Sequence, residues 1–183
     1  MSNTSSNSMQ VRRLTYAAMC LALAMLLPFL IGQNQKLGSM LCLMHIPVLL
    51  CGFLCGWPWG LAVGFIAPLL RSVTFGMPPM PVSAVPMAFE LATYGAVAGL
   101  LYRKFPKTIP GICASLVIAM IAGRIVWGIA KLILCRIMGI EFVYFASVAD
   151  AFVTALLGIG AQLVLIPAIV YAMNKAGLNL NNA

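Results

Sequence analysis

Long apolar runs, separated by short polar or Gly/Pro-rich breaks, dominate the chain. They cover about residues 16–31, 41–55, 59–75, 82–102, 109–138 and 142–173. About 20 apolar residues cross a bilayer as a helix, so the pattern predicts six transmembrane helices rather than the half-polar helices of a soluble domain. The second run is short and is closed by Gly56-Trp57-Pro58. The third ends at Gly76-Met77-Pro78-Pro79, and the fourth at the basic stretch Arg103 to Lys107. The last two runs exceed a bilayer thickness and are expected to tilt, kink or project beyond it. Arg12 and Arg13 ahead of the first run resemble the start of a signal peptide. The run continues through Leu26, Leu27, Pro28 and Phe29 with no small-residue cleavage site, and it is read as the first membrane helix. The expected architecture is an all-α membrane protein, a single bundle of about six transmembrane helices over residues 15–175. Residues 1–14 are expected as a disordered basic tail, and 176–183 as a second tail.

Composition sharpens this picture. Of 183 residues, 63% are hydrophobic and only 8% charged, which excludes a water-soluble globule and a disordered chain. The formal net charge is +8, from 11 Lys+Arg against 3 Asp+Glu. In a membrane protein such a surplus reports topology rather than nucleic-acid binding. With the amino terminus inside, the inner side receives Arg12, Arg13, Arg103, Lys104, Lys107 and Lys175. The outer side receives mainly Lys36 and Arg136, with Glu141 beside the latter. Both termini are therefore expected in the cytoplasm. Nearly all of the six cysteines fall inside apolar runs, where Cys behaves as a small hydrophobe, so no disulfide framework is expected.

Ionisable groups inside spans are costly and tend to mark function. On this topology they gather in the outer halves of the helices: His45, Arg71, Glu90, then Arg124 with Trp127 and Lys131, and Asp150 with Ser147 and Thr154. Arg124, Trp127 and Lys131 share a helix face by their i, i+3, i+7 spacing, as do Met87, Glu90 and Tyr94. Three polar stripes at one depth suit a pocket for a small polar ligand. The polar stretch 32–39, with Asn34, lies on the same side as a cap. The candidate binding residues are Asn34, His45, Arg71, Glu90, Tyr94, Arg124, Trp127, Lys131 and Asp150. Blander roles stand beside these. Arg124 with Glu90 or Asp150 fits a helix-joining ion pair, Arg71 and Lys131 fit snorkelling cations, and His45 fits an interfacial polar residue. Trp57, Trp59 and Tyr102 suit an aromatic belt. The outer cations outnumber the acids, which favours a ligand bearing a carboxylate or phosphate-like group.

Small residues carry a second signal. Ala18 and Ala22 are spaced for close helix approach, and Gly52, Gly56, Gly60 and Gly64 form a ladder suited to packing the second helix on the third. No P-loop and no HExxH occurs, and three acids and one histidine leave little for metal or acid–base chemistry. An enzyme is not expected, and neither is a cofactor. An autonomous secondary carrier or channel using Glu90 and Asp150 is the alternative function; no convincing internal repeat supports it. A structural or assembly subunit, whose charges merely pair, is a third.

Taken in order, several segments carry a resemblance to a known family. These are Arg12-Arg13-Leu14 through Ala18 and Ala22 to Leu26-Leu27-Pro28-Phe29, then His45-Ile46-Pro47-Val48-Leu49-Leu50 with Gly52 and Gly56. The third is Met87-Ala88-Phe89-Glu90-Leu91-Ala92-Thr93-Tyr94-Gly95 with Gly99-Leu100-Leu101-Tyr102. Over nearly its whole length the chain resembles the substrate-binding (S) component of an energy-coupling factor (ECF) transporter. The resemblance implies a membrane receptor without its own ATPase. Such a receptor captures a water-soluble vitamin from outside, in the bacterial plasma membrane, under the loop between its first two helices. It docks through Ala18 and Ala22 on a transmembrane coupling subunit driven by two cytoplasmic ATPases, and the whole receptor topples to deliver its ligand. The His-Ile-Pro-Val segment is similar to pantothenate-type S components, which ranks pantothenate first among the vitamins and precursors.

Overall fold

The computed structural model describes residues 2–31, 42–140, 153 and 155–182. Among these the order is α1 (Ser2–Leu26) continued by a 3-10 turn (Leu27–Ile31), α2 (His45–Cys55), α3 (Trp57–Phe75), α4 (Ala84–Lys104), α5 (Ile109–Ile137), α6 (Leu156–Lys175) and a closing 3-10 turn (Leu180–Asn182). No strand occurs among the described residues. Five segments are long and apolar enough to cross a membrane: Asn7–Phe29, Trp57–Phe75, Ala84–Lys104, Ile109–Ile137 and Leu156–Lys175. The protein is an all-α membrane bundle.

Local chemistry sets the helix ends. Gly56, at φ +98°, closes α2 with its N–H on the Gly52 carbonyl, and Pro58 lies in the first turn of α3. That combination turns the chain sharply, because Gly tolerates positive φ and Pro suits a helix start. Gly76 ends α3 in the left-handed region, its N–H bonded to the Ser72 carbonyl. Each reversal occurs where the apolar runs break.

The exposed faces are more apolar than many buried positions. Along α5, Ile118, Ile121, Ile125, Ile129, Ile133 and Ile137 all point outward. In water such a stripe would drive association, whereas in a bilayer it meets acyl chains. At 29 residues, α5 measures about 43 Å, longer than the hydrocarbon core, as its apolar run predicts.

Helix α2 behaves differently. It has 11 residues, and every one except Leu50 is buried. At about 16 Å it is too short to cross alone. An apolar run of this length suits a core helix better than a full span. Its Leu49 and Phe53 join Tyr94, Leu116 and Ile166 in one apolar cluster with α4, α5 and α6. Val48 and Cys51 join Ala17, Ala24, Val63 and Leu91 in another with α1, α3 and α4. The bundle is built around it.

Glycines let that core close. A Cβ on Gly52 or Gly60 would strike the Gly95 backbone, and one on Gly95 would strike the Gly60 carbonyl. The ladder read as joining α2 to α3 therefore joins both to α4, through a glycine the ladder did not include. Gly99 completes the contact against the Trp57 backbone and the Gly52 carbonyl.

Both expected tails differ from expectation. Helix α1 starts at Ser2, since extending a helix is far cheaper than starting one and no Gly or Pro interrupts residues 1–14. At the other end, Asn179 and Leu180 are buried rather than solvated. The Leu180 carbonyl accepts a 2.8 Å hydrogen bond from Arg13 Nη2, and the Asn181 Nδ2 donates to the Gly99 carbonyl at 3.3 Å. All six cysteines are free thiols.

Candidate functional site

A buried polar cluster inside the bundle is centred on Glu90, one and a half turns into α4 and 2% exposed. Its Oε1 lies 3.0 Å from Arg124 Nη1 of α5 and accepts a 2.7 Å hydrogen bond from Tyr94 Oη, one turn further along α4. Isolated in an apolar interior, either charge would be very costly; paired and hydrogen-bonded, they are held. Gly123 makes the arrangement possible, because a Cβ there would overlap the Tyr94 ring. The neighbouring residue, Arg124, can then reach over Tyr94 to the carboxylate.

His45 closes the group from α2. It is buried, not interfacial, with its ring centroid 5.4 Å from that of Tyr94. Its Nε2 stands 3.9 Å from Glu90 Oε1, beyond hydrogen-bond range, and neither ring nitrogen has a hydrogen-bond partner among the described residues. On the fourth side stands Gln162 of α6, 1% exposed. Its Nε2 donates to the Cys42 carbonyl at 3.4 Å, and its Oε1 has no hydrogen-bond partner among the described residues. Between these groups lies a crevice lined by Cys42, His45, Tyr94, Met120, Arg124 and Gln162, with Ile159 beside them. Its void is about 10 Å³, at the threshold for one water molecule. A larger ligand therefore requires the surrounding elements to part.

The stripe on α5 continues outward from the ion pair. Trp127 is flanked by both cations, with Arg124 Cζ 6.0 Å and Lys131 Nζ 4.9 Å from its ring centroid. Such cation–π contacts fix the direction of the side chains. The spacing of Arg124, Trp127 and Lys131 thus yields the shared face that the sequence predicts.

Arg71 is brought elsewhere. Its Nη1 donates to the Met25 carbonyl at 2.8 Å, and its guanidinium lies 5.3 Å from the Phe29 ring centroid and 5.7 Å from that of Phe75. It is 4% exposed and does not snorkel. Its role is to tie α3 to the end of α1. Asn34 and Asp150, with Ser147, Thr154 and the stretch 32–39, lie outside the described residues. The cation surplus expected at the pocket is consequently reduced: Arg71 is engaged by α1, and Glu90 neutralises Arg124.

Gln162 is the residue that sequence reasoning missed. A search for charges passes over a neutral amide, yet Gln in the middle of an apolar α6 was a visible signal. Tyr102 was also misjudged. It is 1% exposed rather than part of an interfacial belt, and its Oη donates to Asn174 Oδ1 at 2.7 Å.

A family model for the ECF transporter, substrate-specific component matches residues 12–180. No curated protein and no solved structure matches the chain. The family match spans far more than half of the sequence, and the chain belongs to that family. It is therefore a substrate-binding subunit of a transporter, not an enzyme, and a multi-pass membrane protein.

Proposed function

From the premise that the chain is an ECF substrate-specific component, we propose that it captures a small water-soluble vitamin or vitamin precursor from the extracellular face of a bacterial plasma membrane. Pantothenate is the first candidate. The carrying observation is the convergence of α2, α4, α5 and α6 on a buried crevice in which His45 and Gln162 retain unmet hydrogen-bonding atoms beside the Glu90–Arg124 pair. Buried polar groups are normally satisfied, so a crevice that keeps several unmet is suited to a polar ligand. His45, Tyr94 and Arg124 line it, with Glu90 held against Arg124 and Trp127 and Lys131 leading away along α5. Asn34, Asp150 and Arg71 complete the proposed set, with Arg71 acting by fixing α3 against α1.

Delivery runs through a transmembrane coupling subunit powered by two cytoplasmic ATPases, docked on Ala18 and Ala22. Helix α1 supports this: Ala17, Cys20 and Ala24 face the bundle, while Ala18 and Ala22 face outward. A smooth exposed patch of this kind admits a second helix at close range.

The test is mass spectrometry of the molecule retained by the purified chain, followed by titration without ATP. One vitamin is expected to bind tightly, and uptake into liposomes is expected only when the coupling module is present. Arg124→Ala should abolish binding. Uptake by this chain alone would instead establish an autonomous carrier using Glu90 and Asp150.

A further inference from the structure

We propose that Gln162 and His45 together read an uncharged hydrogen-bonding group of the captured molecule, a hydroxyl or an amide, so that the deep end of the site selects by hydrogen bonding rather than by charge. This rests on the receptor reading above and specifies which chemistry that receptor recognises.

Three observations support it. First, the described crevice walls carry balancing charges: the guanidinium of Arg124 sits on Glu90 Oε1, whose same oxygen also accepts from Tyr94. An anionic group placed here would compete with Glu90 for Arg124 and meet the carboxylate's repulsion. Second, the orientation of the Gln162 amide is fixed by its neighbour. The Cys42 carbonyl can only accept, so the amide must turn Nε2 toward it, which leaves Oε1 as an unmet acceptor among the crevice residues. Third, the imidazole of His45 presents two ring nitrogens, and neither is engaged by a hydrogen bond among the described residues.

Size points the same way. The void suits one water molecule. A hydroxyl matches a water in volume and in hydrogen-bonding capacity, and it can replace one without leaving the walls unmet. A hydroxyl or amide N–H donating to Gln162 Oε1, with His45 meeting the same group, satisfies atoms that the protein leaves open. Gln162 is thus a specificity-determining residue on α6, within the apolar run from which sequence patterning drew only Asp150, Ser147 and Thr154.

The experiment compares the purified full chain with Gln162→Leu, which keeps the size and removes the acceptor. The probes are pantothenate and its alcohol analogue, which has the same hydroxyls and amide but no carboxylate, with pyridoxine and riboflavin titrated alongside. Gln162→Leu is expected to weaken binding at least about tenfold, as loss of a buried hydrogen bond implies. The factor should be the same for pantothenate and the alcohol analogue, and the unfolding temperature should stay level or rise. If Gln162→Leu fails to fold, Gln162→Met replaces it. The side-chain length is then retained and the amide acceptor removed, and binding of both pantothenate and the alcohol analogue should weaken by the same factor of about ten, whereas binding within twofold of the parent chain overturns the assignment. Should pyridoxine or riboflavin prove to be the bound probe, the same tenfold criterion applies to that molecule. Binding of the Leu variant within twofold of the parent chain, or weakening confined to pantothenate, overturns the proposal and leaves the receptor reading intact. Failure of the parent chain to bind any of the four overturns both.

Discussion

Helix α4 carries two buried polar clusters, and they are opposites. The Glu90 cluster and the Tyr102 cluster are twelve residues apart, about 18 Å along the same helix. At the Tyr102 end most of the polar atoms serve one another, with Asn174 Nδ2 the exception among the described residues. Asn179 Nδ2 donates to Asn174 Oδ1 at 2.7 Å and to Tyr102 Oη at 3.2 Å, and Asn179 Oδ1 accepts from the Asn181 backbone at 2.9 Å. The result pins the end of the chain across α1, α2 and α4. At the Glu90 end the charges are paired, but Gln162 Oε1 and both nitrogens of His45 have no hydrogen-bond partner among the described residues. Tyr102 and Asn179 are as buried as Glu90 and His45, so burial alone does not separate structure from function here. The degree of satisfaction does. A network that largely closes on itself holds the fold, whereas one that keeps several atoms open has capacity for a ligand.

This contrast can be broken most forcefully at the ion pair. Glu90→Ala leaves Arg124 buried without its counter-charge, and thermal unfolding in detergent should show a loss of about 3–5 kcal/mol. An unchanged unfolding temperature would mean that the pair does not hold α4 to α5. Next comes Gly123→Ala, whose added methyl overlaps the Tyr94 ring. Overpacking of this kind costs about 1–3 kcal/mol, and ligand titration should weaken in parallel as Tyr94 shifts against Glu90. Stability lost with affinity intact would remove Tyr94 from the site.

The closed network should respond in one measurement only. Tyr102→Phe removes a hydroxyl that bridges Asn174 and Asn179, at a cost of about 1 kcal/mol in unfolding and none in ligand affinity. A loss of affinity would show that the two ends of α4 are coupled. The smallest effect on the isolated protein is expected from Ala18→Trp. Exposed on α1, it should leave unfolding and binding unchanged while stopping uptake by the reconstituted transporter. Intact uptake would move the docking surface elsewhere.

Much of this was legible in advance. Apolar runs gave the helices, and Gly56 with Pro58 and Gly76 with the prolines after it gave the reversals, because chain breaks depend on local backbone chemistry. The i, i+4 pair Glu90 and Tyr94 and the α5 stripe were readable because a helix fixes which residues share a face. Arg71 was not readable in this way. Its depth matched that of the other cations, but its azimuth about α3 turns it to Met25, Phe29 and Phe75, and spacing within one helix carries no information about the neighbouring one. Gln162 escaped for a related reason: only the unmet Oε1 distinguishes it from an ordinary buried amide.

The sequence by itself determined the solvent of this protein and its reversals at Gly56 and Gly76. Both follow from properties summed locally along the chain: transfer of apolar side chains into lipid, and the φ preferences of glycine and proline. Only the tertiary structure decided that α2 is the core of the bundle, that Gly95 meets Gly52 and Gly60, that the last residues fold back on Arg13 and Tyr102, and which polar atoms remain unpaired. Those are facts about pairs of residues far apart in sequence. An interaction between two groups acquires its energy from a distance and an angle that neither residue carries alone.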